Sequence, residues 1–163
     1  MRRHTISLLV ENRFGALSRI SGLFSARGYN IESLSVAPTQ DPTLSRMTIV
    51  TNGDERVVEQ IVKQLNKLID VLKVWNVSEH EYISRELVLV RVASGGGKQD
   101  QALRVAQIFN ARVVDVGGES ITLEMMGDDR EVENFLRLLK PLGIKELVRS
   151  GTVAMLKEKV RER

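Results

Sequence analysis

Apolar and polar positions alternate along residues 5–11, Thr-Ile-Ser-Leu-Leu-Val-Glu, with Ile6, Leu8 and Val10 on one face. A period of two predicts a half-buried strand. Asn12-Arg13-Phe14-Gly15 interrupts it as a turn. The period then lengthens: Ala16, Leu17, Ile20, Leu23 and Phe24 fall on one stripe of a 3.6-residue helix, which Gly28 stops. Residues 31–37 predict a second strand, and 38–42, with two prolines, a turn. Residues 45–51 predict a third strand with Met47 and Ile49 on one face. Asn52-Gly53-Asp54 ends it, and Asp54 suits a helix N-cap. Val57, Val58, Ile61, Val62, Leu65, Leu68 and Ile69 make a second helical stripe, and residues 71–77 a fourth strand.

The same order returns. Glu86–Ala93 reads as a strand, Ser94–Gly97 as a loop and Gln99–Ala111 as a helix with Leu103, Ala106, Ile108 and Phe109 apolar. Arg112–Val116 and Ser120–Met126 read as strands around a Gly117-Gly118-Glu119 turn. Gly127-Asp128-Asp129 opens a helix to about Leu139, which Pro141 and Gly143 close. Ile144–Val148 begins a last strand, with its continuation to Leu156 left open. The expected class is α+β: two ferredoxin-like βαββαβ domains, residues 1–78 and 83–163, with Ser78-Glu79-His80-Glu81 between them. A sandwich of this size with one open sheet face is marginal alone, so pairing into a homodimer is expected.

Composition narrows the functions. The 163 residues contain no cysteine, which excludes disulfides, thiolate catalysis and Cys-based zinc sites. Apolar runs are too short for a transmembrane helix, and nothing resembles a secretory signal, so a cytoplasmic chain is expected. The net charge is +3, with both signs mixed along the chain and aromatics at 4%. Neither a phosphate-binding stripe nor a base-stacking platform is present, which argues against a nucleic-acid partner. The tail Lys157–Arg163 alternates in sign and reads as a solvated end.

Motifs for chemistry mostly fail on inspection. His4 and His80, the two histidines, fit no metal spacing and have no nucleophile beside them. Gly95-Gly96-Gly97-Lys98 lacks the P-loop's first glycine, where Val92 stands, and its Ser or Thr, where Gln99 stands. Asp128-Asp129 reads as a helix start. Asn12–Leu17 is different. A helix N-terminus presents unpaired N–H groups to a carboxylate. Gly15 admits a ligand close to the backbone, and an asparagine can both donate and accept. Asn30 follows the far end of the same helix, so Asn12 and Asn30 line one pocket only if two chains supply them. A plain turn at Asn12–Gly15 and a plain helix stop at Gly28–Asn30 account for the same residues.

Three stretches carry a resemblance: Glu11–Ile20 with Gly22–Ser25, then Arg27–Leu34, then Ala37–Thr39 with Ser45–Thr48. They are similar to the small, regulatory subunits of acetolactate synthase (acetohydroxyacid synthase). The similarity spans the whole chain, most specifically over residues 2–75. It is looser over 83–163, where Ile108-Phe109, Val113–Val116 and Arg149-Ser150-Gly151 carry it. The resemblance implies that residues 1–78 form an ACT domain, a ferredoxin-like module that binds small amino acids at dimer interfaces. It implies a valine site made of Asn12, Gly15, Ala16 and Leu17 from one chain with Asn30 and Ile31 from its neighbour. It further implies a non-catalytic chain without cofactors, which activates a large catalytic subunit and makes it valine-sensitive. That subunit would carry thiamine diphosphate, Mg²⁺ and FAD. The alternatives are a stand-alone ACT-type sensor of another enzyme, an RNA-binding ferredoxin-like module and an enzyme acting alone.

Overall fold

A computed structural model describes residues 2–158. The first sheet holds β1 (Arg2–Glu11), β2 (Ile31–Pro38), β3 (Leu44–Gly53) and β4 (Val71–Asn76), all antiparallel in the order β2-β3-β1-β4. Helices α1 (Ala16–Ala26) and α2 (Glu55–Leu65) cover one face. The expected alternation sets the register. Ile6 pairs with Ile49 and Leu8 with Met47, and this face meets Ile20, Phe24, Val58, Ile61 and Leu65 in one core.

The second sheet holds β5 (Tyr82–Ala93), β6 (Arg112–Val116), β7 (Ser120–Gly127) and β8 (Ile144–Arg149) in the order β6-β7-β5-β8, with β9 (Val153–Leu156) pairing with β5. Helices α3 (Lys98–Ile108) and α4 (Asp129–Leu139) cover it. Its core joins Val88, Val90, Val92, Ile121 and Leu123 to Ala106, Val132, Phe135 and Leu139. The Phe109 and Phe135 rings meet edge to face at 5.5 Å.

Both second helices start from a Gly-Asp pair. The Asp54 carboxylate accepts from Val57 N at 2.9 Å, and Asp128 makes a reciprocal capping box with Glu131. Both first helices start instead from a left-handed glycine, Gly15 or Gly97, with no side-chain cap.

Two expectations need correction, and the open end of the last strand is resolved. The second helical stripe ends at Leu65 rather than Ile69: Leu68 N donates to Leu65 O in a turn, and Ile69 is 91% exposed. The third helix stops at Ile108 rather than Ala111, with Asn110 left-handed at φ 53°. The last strand does not run through to Leu156. Gly151, at φ 81°, ends the path after β8, and β9 is a separate strand.

By their contacts, residues through Ile83 together with the segment from Thr152 form one compact unit, and Ser84–Gly151 the other. The first sheet's second face is therefore not bare, as expected, but partly covered. Thr5, Ser7, Thr48 and Val50 are buried there, and β9 lies against β1 and β3. Thr152 N donates to Ser33 Oγ at 3.0 Å. Of the tail expected to be solvated, residues 159–163 lie outside the described residues; Lys157 and Glu158 are exposed. Among the described residues, no helix is long and apolar enough to cross a membrane.

Candidate functional site

The start of α1 is built by three neighbouring segments. Asn12 leaves β1 with its N–H on Thr43 O at 2.8 Å. Its side-chain Nδ2 donates to Pro42 O at 3.0 Å, which ties the turn to the β2–β3 loop and orients the amide. One N–H of Nδ2 is thereby committed to the protein, and the bond fixes where Oδ1 lies. Gly15 is the N-cap of α1 at φ 82°, a conformation that L side chains rarely adopt. A Cβ there would stand 3.0 Å from Arg19 Nη1.

α1 has neither a side-chain cap nor an acid in its first turn. Among the described residues the amides of Gly15 and Leu17 have no hydrogen-bond partner, and no acid of the first turn offsets the helix dipole there. Ala16 is buried, with its N–H only 3.3 Å from Arg13 O, and Leu17 is exposed. Phe14, beside them, is fully exposed.

Sequence reading missed two supports of this turn. Arg19 Nε donates to Asp70 Oδ2 at 2.5 Å, and Arg19 Nη2 lies 3.4 Å from Phe14 O. The hydrogen bond to Asp70, more than its charge, raises the Arg19 pKa above its ordinary value. A guanidinium paired with a carboxylate thus stands one turn inside the helix mouth and fixes the turn in place. No local motif signals this pair, because 51 residues separate its members. The Asn12–Pro42 bond crosses 30 residues and is equally invisible to periodicity.

The other two expected residues sit elsewhere. Asn30 is exposed beyond the far end of α1, its carbonyl accepting from Thr51 Oγ1 at 2.6 Å. Ile31 opens β2, pairs with Thr51 and packs against the core. An eleven-residue helix is about 16 Å long. One chain therefore brings Asn12, Gly15, Ala16 and Leu17 together and keeps Asn30 and Ile31 apart from them. β2 is an edge strand, so it can accept another strand. Three cavities within the units are lined by other residues. Among the described residues, no group of three or more His, Asp or Glu is placed to hold a metal ion.

Two family descriptions match the chain in tandem: "AHAS small subunit-like ACT domain" over residues 6–73 and "Small subunit of acetolactate synthase" over residues 85–158. The acetolactate synthase small subunit of Haemophilus influenzae is 51% identical over 154 residues, 94% of both chains. A probable acetolactate synthase small subunit of Archaeoglobus fulgidus is 49% identical over 155 residues, 95% of this chain and 97% of that protein. The crystal structure of the acetolactate synthase small subunit of Thermotoga maritima superposes with a TM-score of 0.86 at 36% identity. It covers 98% of this chain and all of its own.

Proposed function

This chain belongs to the acetolactate synthase small-subunit family, and from that premise we propose that it activates the large catalytic subunit and makes it sensitive to valine. Valine binds between the ACT domains of two copies. The observation that carries this reading is the uncapped, acid-free start of α1 behind a left-handed Gly15. The amides of Gly15, Ala16 and Leu17, at the positive end of the α1 dipole, receive the effector's carboxylate. Asn12 Oδ1, oriented by the bond from Nδ2 to Pro42 O, receives the ammonium. Asn30 and Ile31 come from the neighbouring copy, which reaches the pocket by pairing along the β2 edge. The isopropyl group lies among the apolar flanks, Leu17 and the neighbour's Ile31.

The chemistry itself belongs to the large subunit, which holds the thiamine diphosphate, Mg²⁺ and FAD. This chain acts on it by choosing between two arrangements of its ACT pair. Only one of them supports full catalysis, and valine favours the other through contacts that differ between them. A coupling of about 1–3 kcal/mol changes binding roughly 5–150-fold. The test is the holoenzyme reconstituted with Gly15→Asp, whose carboxylate caps α1 and occupies the carboxylate site. Activation persists and valine inhibition is lost. Unchanged inhibition refutes the site. Asn30→Ala, which leaves the α1 turn intact, provides the same readout from the other half of the pocket.

A further inference from the structure

The end of β1 remote from Asn12 holds a second polar site. His4 and Asn76 stand on the helix-facing side of the first sheet, His4 paired with Thr51 and Asn76 with Ile6. Together with Ser78, Glu79, Arg2 and the Glu55, Val58 and Glu59 face of α2, they line a cavity of ≈ 210 Å³. His4 is 4% exposed. Among the described residues its Nε2 is buried without a hydrogen-bond partner, and so is Asn76 Oδ1. Buried polar groups are nearly always paired, so two orphans lining one cavity call for a guest that pairs them.

The guest's chemistry follows from the donor inventory. One N–H of Asn76 Nδ2 donates to Glu79 Oε1 at 2.7 Å, which orients the amide and leaves Oδ1 an unpaired acceptor. Ser78 Oγ already accepts from Thr5 N at 2.8 Å. Three carboxylates, Glu55, Glu59 and Glu79, face the cation of Arg2 and that of Lys63, which is bonded to Glu59 at 2.7 Å. The lining is thus rich in acceptors, and its three carboxylates outnumber the guanidinium of Arg2. An anion is repelled, and no metal cage is assembled among the described residues. A primary ammonium, with three N–H donors and one positive charge, meets each requirement. The volume is that of about seven waters, which suits a short aliphatic amine.

We propose that this cavity binds the primary ammonium group of a small amine, held by Asn76 Oδ1, His4 Nε2 and a carboxylate of the rim. The site is independent of the one at α1. Asn12 lies eight residues along the chain from His4, about 26 Å in extended backbone.

The two histidines make the test direct. In the full chain, the ring nitrogens of His4 and His80 are followed by proton–nitrogen NMR at fixed pH and ionic strength. Ethylammonium chloride is titrated against tetramethylammonium chloride, a cation of equal charge without N–H donors. Ethylammonium shifts the His4 ring saturably and leaves His80 unmoved, whereas tetramethylammonium does neither. Asn76→Leu and, on the exposed turn, Glu79→Gln each weaken the response at least tenfold. No saturable shift, an equal shift with tetramethylammonium, or an undiminished shift in the folded variants would overturn the proposal.

Discussion

Arg19 Nε and Asp70 Oδ2 lie 2.5 Å apart, and through that bond the first helix is fastened to the connection between α2 and β4. Asp70 is buried while half of the Arg19 side chain remains in solvent. The carboxylate thus depends on a single visible cation. Arg19→Met and Asp70→Asn are both expected to lower the thermal midpoint, with Arg19→Met the more damaging, because it leaves a buried charge alone. The double variant is expected to be less destabilised than the sum of the two. A double-mutant cycle that shows simple additivity would sink this coupling.

The capped and uncapped helices make a contrast that can be measured. Asp128→Ala removes the carboxylate that accepts from Glu131 N, while the backbone N–H at position 128 can still donate to Glu131, and is expected to cost about 1 kcal/mol, with Asp54→Ala of similar size. Urea unfolding should show lower midpoints at unchanged slope.

Core and surface apolar residues of similar sequence pattern differ sharply. Phe135 is fully buried against Phe109, and Phe135→Ala is expected to cost about 3–5 kcal/mol. Ile69→Ala, at a nearly fully exposed site, should stay within about 0.5 kcal/mol of the parent. The same urea series decides both.

The loop that receives Asn12 carries a pH signature. The Thr43 hydroxyl, and after it the Thr43 amide, hold the Asp41 carboxyl below its ordinary 3.8. A folded value below the unfolded one contributes stability that is complete above the unfolded value and is lost as pH falls through the folded one. Thr43→Val removes the larger cause. It should raise the Asp41 midpoint, read from its side-chain carbon resonance, and shrink the acid-sensitive part of stability. A midpoint unmoved by the substitution would show that the hydroxyl is not the cause.

Ser33→Ala deletes the acceptor of the Thr152 amide, and Thr152 is buried. A cost of about 1 kcal/mol is expected. Hydrogen exchange at the Thr152 amide should accelerate well beyond any change in the β1 amides.

Strands and capped helices were legible because their signals are local. Alternation gave Ile6, Leu8 and Val10 their face, and Asp54 announced its helix. What misled the reading was tertiary. Leu68 and Ile69 continue the 3.6-residue pattern of α2, yet Asp70 is drawn inward to Arg19, so the chain turns at Leu65 and strands Ile69 in solvent. β8 and β9 lie so close in sequence that they read as one strand, and the left-handed Gly151, between Ser150 and Thr152, separates them. At the candidate site, Gly15 and the helix mouth could be read from sequence. The carbonyl of Pro42 that aligns Asn12, and the guanidinium of Arg19, depend on chain pairings that no short-range pattern records.

The return of β9 to the first sheet sets an order in time. The segment that lies against β1 and β3 is encoded after all of Ser84–Gly151. On the ribosome, the earlier module must therefore wait, with that surface uncovered, until the later one has been synthesised. Severing the polypeptide between the two modules would yield a first half deprived of its cover.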